Sequence, residues 1–311
     1  MNENVKSNLK KYRSLIGLFL LCVIIAIATP RFLTLSNITN VLTQIAVNAI
    51  IAVGMSFVIL TGGIDLSVGS TVALSGAVAA SVVLSTGSIP LAIIAAIIVG
   101  AVIGLINGVL VSKGKLQAFI ATLATMTIFR GETLVFTQGN PISKLPESFM
   151  VLGNGSLGFL PVPILITIIV AVIAIYALSQ TKLGRYIYAV GGNEDSSRLS
   201  GINTNKIKTL VYMVAGIASA IGGIILTSRI GSASPNAGTG YELDAIAAVV
   251  IGGTSLSGGE GKISGTIIGA LIIGVISNGL NLMNVSPFYQ SIVKGLVILI
   301  AVLLDKKQKN N

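Results

Sequence analysis

The sequence has no histidine and only one cysteine, Cys22. Without histidine the chain cannot build the imidazole acid–base relays on which many enzymes depend, and a single cysteine forms neither an internal disulfide nor a zinc cluster. Charge is scarce too, because 10% of the residues are charged whereas a soluble domain carries about 25%. We therefore expect no catalytic residues, no metal site and no cofactor bound by this chain.

Long apolar runs take the place of charge, and short breaks rich in glycine and basic residues separate them. Hydrophobic residues make up 53% of the sequence, and a helix of about 20 apolar residues crosses the hydrocarbon core of a bilayer. The sequence predicts an all-α transmembrane bundle of about ten spans with glycine-broken helices, forming one domain over residues 1–311 with 14–304 embedded. The predicted spans are 14–29, 38–60, 66–86, 90–111, 116–137, 162–180, 207–228, 241–257, 263–283 and 287–304.

The basic residues indicate how the chain is oriented. With the amino terminus in the cytoplasm, most of the 20 lysines and arginines fall on the cytoplasmic side, as the positive-inside rule requires. They are Lys6, Lys10, Lys11, Arg13, Lys113, Lys115, Lys182, Arg185, Arg198, Lys206, Lys208, Lys262, Lys306, Lys307 and Lys309. This pattern predicts an even number of spans with both termini in the cytoplasm. The net charge of +10 then reflects membrane orientation, and no nucleic-acid partner is expected because no basic face appears.

Residues 26–28, Ala-Ile-Ala, imitate a signal-peptidase site behind a basic start and an apolar run. A cleaved signal is one interpretation. An uncleaved first span is favoured, since the rest of the chain is also membrane-embedded and the same pattern is expected of it.

Two longer polar segments interrupt the apolar pattern. Residues 138–161 fall outside the membrane, as a docking surface or merely a solvated connection. Residues 181–206 fall in the cytoplasm, where Asn193 can cap a short helix, Glu194 suits its first turn and Gly201 its end.

This short cytoplasmic helix is interpreted as a docking element. Gly191 and Gly192 before it and Gly201 after it would let it stand out from the membrane, and apolar Leu199 beside charge suits a cytosolic partner. An ordinary connector is the alternative.

The pattern GGxxLSxG occurs twice, at 62–69 and 252–259. Each copy follows an apolar run that travels inward, so the two have the same polarity, as in parallel transporter repeats. Backbone that leaves a helix within a membrane must be buried in protein or line a wet cavity, which makes both breaks candidates for a permeation path. Asp65 in the first copy is interpreted as the N-cap of a helix that begins at Leu66, in preference to a polar lining of the path.

Three polar residues open the eighth apolar run: Tyr241, Glu242 and Asp244. They could meet the hydroxyls of a sugar or a partner's basic groups on the outer side. A solvated helix start, in which the acids complement the macrodipole, is an equally weighted alternative. With Asp65 they are the candidates for the translocation path.

Other charged and small residues in the runs have structural interpretations. Arg130 and Lys294 are expected to snorkel to the interface. Glycines at four-residue spacing predict close helix packing, within the chain or across a dimer. They are Gly100, Gly104 and Gly108 in one run, and Gly265 and Gly269 in another.

Residues 256–262, LSGGEGK, look like the signature loop of an ABC ATPase followed by part of a phosphate loop. A phosphate loop needs G-x-x-x-x-G-K-[ST]. Leu256 and Ile263 occupy the first glycine and the Ser/Thr positions of that motif, and no soluble α/β domain accompanies the match. We expect that the chain does not hydrolyse ATP by itself.

From about residue 32 to 305 the chain resembles the permease subunits of bacterial sugar ABC importers. The most specific stretches are 62–69 (GGIDLSVG), 183–194 (LGRYIYAVGGNE), 198–203 (RLSGIN) and 239–250 (TGYELDAIAAVV). The resemblance implies a homodimeric, multi-pass permease of the bacterial plasma membrane, in contact with lipid, that moves a monosaccharide inward, with D-ribose as the expected sugar. It also implies an extracytoplasmic sugar-binding protein and a cytosolic ATPase with two nucleotide-binding domains that hold ATP and Mg²⁺.

In this family the segment that matches 191–201 is expected to contact the ATPase. The candidate coupling residues are therefore Gly191, Gly192, Asn193, Glu194, Arg198, Leu199 and Gly201. Glu132 and Glu260 depart from the family's pattern, so no role is carried over to either.

An ion- or proton-coupled secondary transporter that uses Asp65, Glu132 or Lys294 and needs no ATPase is the alternative function. An intramembrane enzyme is the third interpretation. It is set aside because the chain has only acids and hydroxyls from which to assemble a nucleophile and a base.

Overall fold

A computed structural model describes residues 13–309, over which the chain forms thirteen helices and one two-stranded hairpin. The helices are α1 (Arg13–Ala28), α2 (Leu35–Leu60), α3 (Val68–Thr86), α4 (Ile89–Ser112), α5 (Ala118–Phe136), α6 (Glu147–Asn154), α7 (Val162–Gln180), α8 (Lys182–Gly192), α9 (Glu194–Leu199), α10 (Thr204–Ile230), α11 (Tyr241–Ile251), α12 (Ile263–Leu282) and α13 (Pro287–Lys309). The hairpin pairs β1 (Ser156–Leu157) with β2 (Leu160–Pro161). The predicted all-α class is thus confirmed, while the basic cluster Lys6, Lys10 and Lys11 lies outside the described residues.

Within residues 13–309, seven helices are long and apolar enough to cross a membrane: α2, α3, α4, α5, α7, α10 and α12. Ser14–Ala28 and Pro287–Ile300 are shorter apolar helical stretches. These nine segments coincide, within a few residues, with nine of the predicted spans.

The predicted span 241–257 is wrong in length, because α11 ends at Ile251. The N–H of Thr254 bonds back to the carbonyl of Val249 at 3.1 Å, and Gly253 adopts a φ of 89°. This is the glycine-based way of ending a helix. Counting apolar residues does not reveal this helix end, because the residues that follow the helix are only mildly polar.

The core is built around α10, which packs against α2, α3 and α4. In α2, Ile50, Ile51 and Met55 have no exposed surface. By contrast, 22% of the apolar stretch of α5 and of α7 is buried, against 78% for α2. Lipid tails are as apolar as these side chains, so the exposed surfaces of α5 and α7 are those expected of helices that face lipid.

The spaced glycines pack within the chain. Gly100 lies against Gly216 of α10, and Gly104 lies against the backbone of α10 at Tyr212. A methyl group at either position would overlap the facing carbonyl oxygen. Small residues at this spacing let two helix backbones approach closely.

The same kind of packing joins α11 to α12, where Gly265 and Gly269 lie against the backbone at Gly252 and Ala248. The question whether the glycine faces pack within or between chains is thereby answered for both.

The polar segment 138–161 is more ordered than a solvated connection. Phe149 of α6 is fully buried. The Ser228 hydroxyl of α10 donates to the Phe149 carbonyl and accepts from the Gly153 N–H, both at 2.7 Å. The segment therefore covers one end of α10.

Candidate functional site

The two GGxxLSxG breaks end their helices in the same way. After α2 the Gly63 N–H bonds to the Val58 carbonyl at 3.1 Å, and the Gly62 N–H bonds to the Ile59 carbonyl at 2.8 Å. After α11 the corresponding bonds run from Thr254 to Val249 at 3.1 Å and from Gly253 to Val250 at 2.9 Å. Each pair is a Schellman motif with a left-handed glycine, Gly62 or Gly253.

The similarity continues into the turn that follows. Asp65 Oδ1 accepts the Ser67 N–H at 2.9 Å, and Ser255 Oγ accepts the Ser257 N–H at 3.3 Å. These residues hold the fourth and sixth positions of the two motif copies. The shared helix ends and turns support an internal repeat, although the left-handed glycine is shifted by one position between the copies.

The N-cap interpretation of Asp65 is wrong. The helix begins at Val68, and Ser67 rather than Asp65 occupies the N-cap position. Asp65 is only 1% exposed, and its Oδ1 accepts the Ser67 hydroxyl at 2.7 Å besides the N–H. Because an unpaired carboxylate is costly to bury, these bonds are what allow Asp65 to lie inside the bundle.

Asn107 of α4 completes this cluster, and sequence reasoning missed it. Its amide donates to Ser67 Oγ at 2.7 Å and to Asp65 Oδ1 at 3.4 Å. Asn107 has no exposed surface. A lone amide within the apolar run 90–111 was the available signal, since buried polar side chains need partners.

Residues 231–240 form a re-entrant segment between α10 and α11. Gly238 packs against Val72 in the first turns of α3, and so does Gly223, which lies about two turns before the end of α10. Since α10 ends at Ile230, which lies about 10 Å beyond Gly223 at 1.5 Å per residue, the segment descends about that far into the bundle. The helix α11 therefore begins inside the bundle, and its 11 residues are about 17 Å long.

Arg130 of α5 holds the re-entrant segment in place. Its guanidinium donates to the carbonyls of Pro235 at 2.8 Å and Ala237 at 2.7 Å. The expected snorkelling of Arg130 to the interface is thus wrong. Non-helical backbone at membrane depth must find hydrogen-bond partners other than water, and Arg130 supplies two donors.

The start of α11 brings the other path candidates close to the first break. Glu242 accepts the Gly240 N–H at 3.2 Å, and its carboxylate lies against Gly69, just beyond the motif serine Ser67. Tyr241 and Glu242 are partly buried. The structure thus places Glu242 against the first turn of α3, which directly follows the break that contains Asp65.

Asp244 is buried and pairs with Lys294 of α13 at 2.8 Å. A solvated helix start is therefore the wrong interpretation for Asp244, and snorkelling is the wrong one for Lys294. The charge of Lys294 stays in the bundle because a buried carboxylate with an opposite partner costs less than one without.

The residues named for an ion-coupled mechanism lie in separate surroundings. Asp65 is bonded to Ser67 and Asn107, Lys294 is paired with Asp244, and Glu132 is exposed. In the described part of the chain no hydrogen bond or ion pair joins any two of Asp65, Glu132 and Lys294.

The predicted short helix that begins after Asn193 is confirmed as α9. Asn193 Oδ1 accepts the Ser196 N–H at 2.8 Å, which is the expected N-cap bond. Gly201 follows the helix with a φ of 85°. Leu199 is 88% exposed at the end of α9, and Arg198 forms an exposed pair with Asp195.

The base of α9 is anchored, because Glu194 pairs with Lys208 of α10. Gly191 and Gly192, however, are the last residues of α8 and not a free linker, which corrects the idea that they let α9 stand out. Gly191 lies against the carbonyl of Leu60. A free hinge would need room around it, and Gly191 has none.

A cleft of about 400 Å³ separates α9 from the first break. Its lining includes Thr61, Gly62, Gly63, Glu194, Arg198 and Lys208. The element predicted to dock a cytosolic partner thus shares a cavity with the broken end of α2.

The family model described as "Branched-chain amino acid transport system / permease component" matches residues 37–302. The ribose import permease protein of Haemophilus influenzae is 54% identical over 315 residues, covering 98% of both chains. That of Escherichia coli is 54% identical over 98% of this chain and 96% of its own, and that of Bacillus subtilis 55% identical over 96% and 94%.

No solved structure matches this chain. The family model covers most of the chain, and the three relatives align with it almost from end to end. Together with the bundle of apolar helices, this shows that the chain is a multi-pass membrane protein belonging to the family of transport-system permease components.

Proposed function

We propose that this chain is the membrane permease of an ABC importer that moves D-ribose into the cell. The observation that carries the proposal is its identity of 54–55% with ribose import permeases over nearly the whole chain. The broken helices and the re-entrant segment support it, because polar backbone inside a bundle of this kind is typical of a transport path.

Transport requires a bundle with two arrangements, and the breaks are where it can change. The segments 61–67, 231–240 and 252–262 lack continuous helix, so small backbone rotations there can redirect α3 and α11. No covalent change to the sugar is part of this mechanism. Glu242, Tyr241 and Asp244 remain the candidates to meet sugar hydroxyls as the segment around them moves.

Energy would come from a partner ATPase that binds ATP and Mg²⁺ on its two nucleotide-binding domains. We place its contact at α9, where exposed Leu199 and Arg198 project and Asn193 fixes the start of the helix. A partner shifts a conformational equilibrium only as far as it binds the two states differently. Contact at α9 therefore has to differ between the two arrangements of the bundle.

The proposal also covers the other proteins of the assembly and the topology of the chain. We propose a homodimer, with a sugar-binding protein docking on the outer side over α6 and the hairpin. We also propose about ten membrane crossings with both termini in the cytoplasm, in which α1, α13 and the re-entrant segment with α11 complete the seven long helices.

The test is reconstitution. The chain is incorporated into lipid vesicles with its ATPase and sugar-binding protein, and uptake of labelled D-ribose is measured with and without ATP, against D-allose and L-arabinose as competitors. We expect ATP-dependent ribose uptake that requires all three proteins. Accumulation of ribose by the chain alone, driven by an ion gradient, would overturn the proposal in favour of a secondary transporter.

A further inference from the structure

Three separate parts of the chain meet through backbone at one point, which we call the glycine junction. Its residues are Leu60 at the end of α2, Gly191 and Gly192 at the end of α8, and Gly258 and Gly259 in the second break. The Gly259 N–H donates to the Leu60 carbonyl at 2.9 Å, which ties the second break to the end of the first broken helix.

Gly191 lies against both partners of that hydrogen bond. A β-carbon built on Gly191 would overlap the Leu60 carbonyl oxygen and lie 2.5 Å from the Gly259 nitrogen. A β-carbon on Gly258 would lie 3.0 Å from the carbonyl oxygens of both Gly191 and Leu60. No side chain separates the three backbones here, so no rotamer change can absorb a displacement of one against another.

A second contact lies one turn earlier in α8. The Tyr188 hydroxyl donates to the Gly261 carbonyl at 2.8 Å. A tyrosine hydroxyl is protonated at neutral pH, and burial raises the pKa of Tyr188 further. Tyr188 and Gly191 are three residues apart and therefore share one helix face, which holds the second break at two points.

The other end of this connection is the docking helix. Only Asn193 separates α8 from α9, and Asn193 caps α9 through Ser196. A displacement of α9 therefore moves the end of α8, and with it both breaks at once. We infer that Gly191 is the positioning residue through which the cytoplasmic element acts on the two breaks of the transport path, an inference that rests on the proposed function.

The experiment uses the complete complex of permease, ATPase and sugar-binding protein in lipid vesicles, with ribose uptake and ATP hydrolysis measured in the same sample. In Gly191→Ala the new methyl group must push α8 away from Leu60 and Gly259. We expect uptake per ATP hydrolysed to fall by about tenfold or more in the complex that assembles.

Two matched glycine controls separate this role from general packing. Gly131→Ala in α5 adds a methyl group where no heavy atom lies within 4 Å, and it should leave uptake per ATP unchanged. Gly104→Ala adds a methyl group against α10 at a position outside the glycine junction. It should lower the yield of assembled complex without changing the uptake per ATP of the complex that does assemble. If Gly191→Ala behaves like either control, the inference is overturned.

Tyr188→Phe tests the inference even if the Gly191→Ala complex fails to assemble, because it removes one hydrogen bond and adds no volume. We expect uptake per ATP to fall by about twofold to fivefold, and an unchanged ratio would overturn the inference in that case. The wild-type complex is measured first, because absence of ATP-driven ribose uptake there contradicts the proposed function. Stimulation of ATP hydrolysis by the binding protein would still report on the junction, since that readout does not depend on which sugar moves.

Discussion

The two breaks begin alike and are then held by different parts of the molecule. In the first break, the buried carboxylate of Asp65 accepts the hydrogen bond that forms the turn, and it also accepts a hydrogen bond from Asn107 of α4. In the second break, the Ser255 hydroxyl accepts the corresponding hydrogen bond, and the break contacts Tyr188 and Gly191 of α8. Both copies contact Gly191 at the glycine junction, but the first is held in addition by a buried carboxylate and the second by the Tyr188 hydroxyl of α8.

This difference indicates a division of labour between the copies. A buried charge with several partners strongly favours one arrangement, because each alternative leaves polar groups unpaired. A hydroxyl with one long hydrogen bond imposes little. We therefore expect the first break to set the resting geometry and the second to move further when α9 is displaced.

The helix that leads into the second break provides the largest expected effect. Replacing Lys294 with Met leaves the buried Asp244 without its partner, and we expect a loss of about 3 kcal/mol, at the low end for a buried pair because Lys294 is partly exposed. Unfolding of the purified chain in detergent measures it. Adding Asp244→Leu to the same chain should restore most of the loss, and no recovery would mean that the pair is not what holds α11.

Asp65→Ala tests the anchor of the first break. It leaves the Ser67 hydroxyl and N–H and the Asn107 amide with fewer partners, and we expect a loss of about 2 kcal/mol. Asp65→Asn keeps an acceptor oxygen and should lose less than half as much. Equal losses in the two variants would show that the carboxylate charge, rather than its hydrogen bonds, is what matters.

Arg130→Met tests whether α5 holds the re-entrant segment that precedes α11 and the second break. Its two bonds to the re-entrant segment are lost, and we expect a cost of about 1.5 kcal/mol together with reduced ribose uptake. Arg130→Lys keeps the charge and a single point donor, so it should recover part of the uptake. Uptake at the wild-type level in Arg130→Met would show that the segment keeps its position without these bonds.

Much of this arrangement could be predicted from local sequence. Apolar runs of the right length identified nine helical segments to within a few residues, since hydropathy and helix length act locally. The cap at Asn193 and the stop at Gly201 followed from short-range rules in the same way. The GGxxLSxG repeat was visible as a weak pattern, and its helix-ending function is set by the same few residues.

What could not be predicted are the pairings between distant parts of the chain. Snorkelling is the wrong interpretation for Arg130 and Lys294 because the sequence shows a charge near the end of one apolar run and inside another, but not the carbonyls or the carboxylate that lie across from them. Asp65 was placed at a helix start that lies two residues too early, since Ser67 competes for the same position. Such choices depend on tertiary partners, here Asn107 and the re-entrant segment, that no local window contains.

The smallest expected effect is the sharpest test of the comparison between the breaks. Ser255→Ala removes one hydrogen bond of 3.3 Å from the second break, and we expect it to cost about 0.5 kcal/mol. Ser67→Ala, at a serine of the first copy, removes a hydroxyl that bonds both Asp65 and Asn107, and it should cost at least twice as much. Both are measured by detergent unfolding, with ribose uptake by the reconstituted complex as the second readout. If the two serines cost the same, the first break is no better anchored than the second, and the assignment of the larger movement to the second break loses its physical basis.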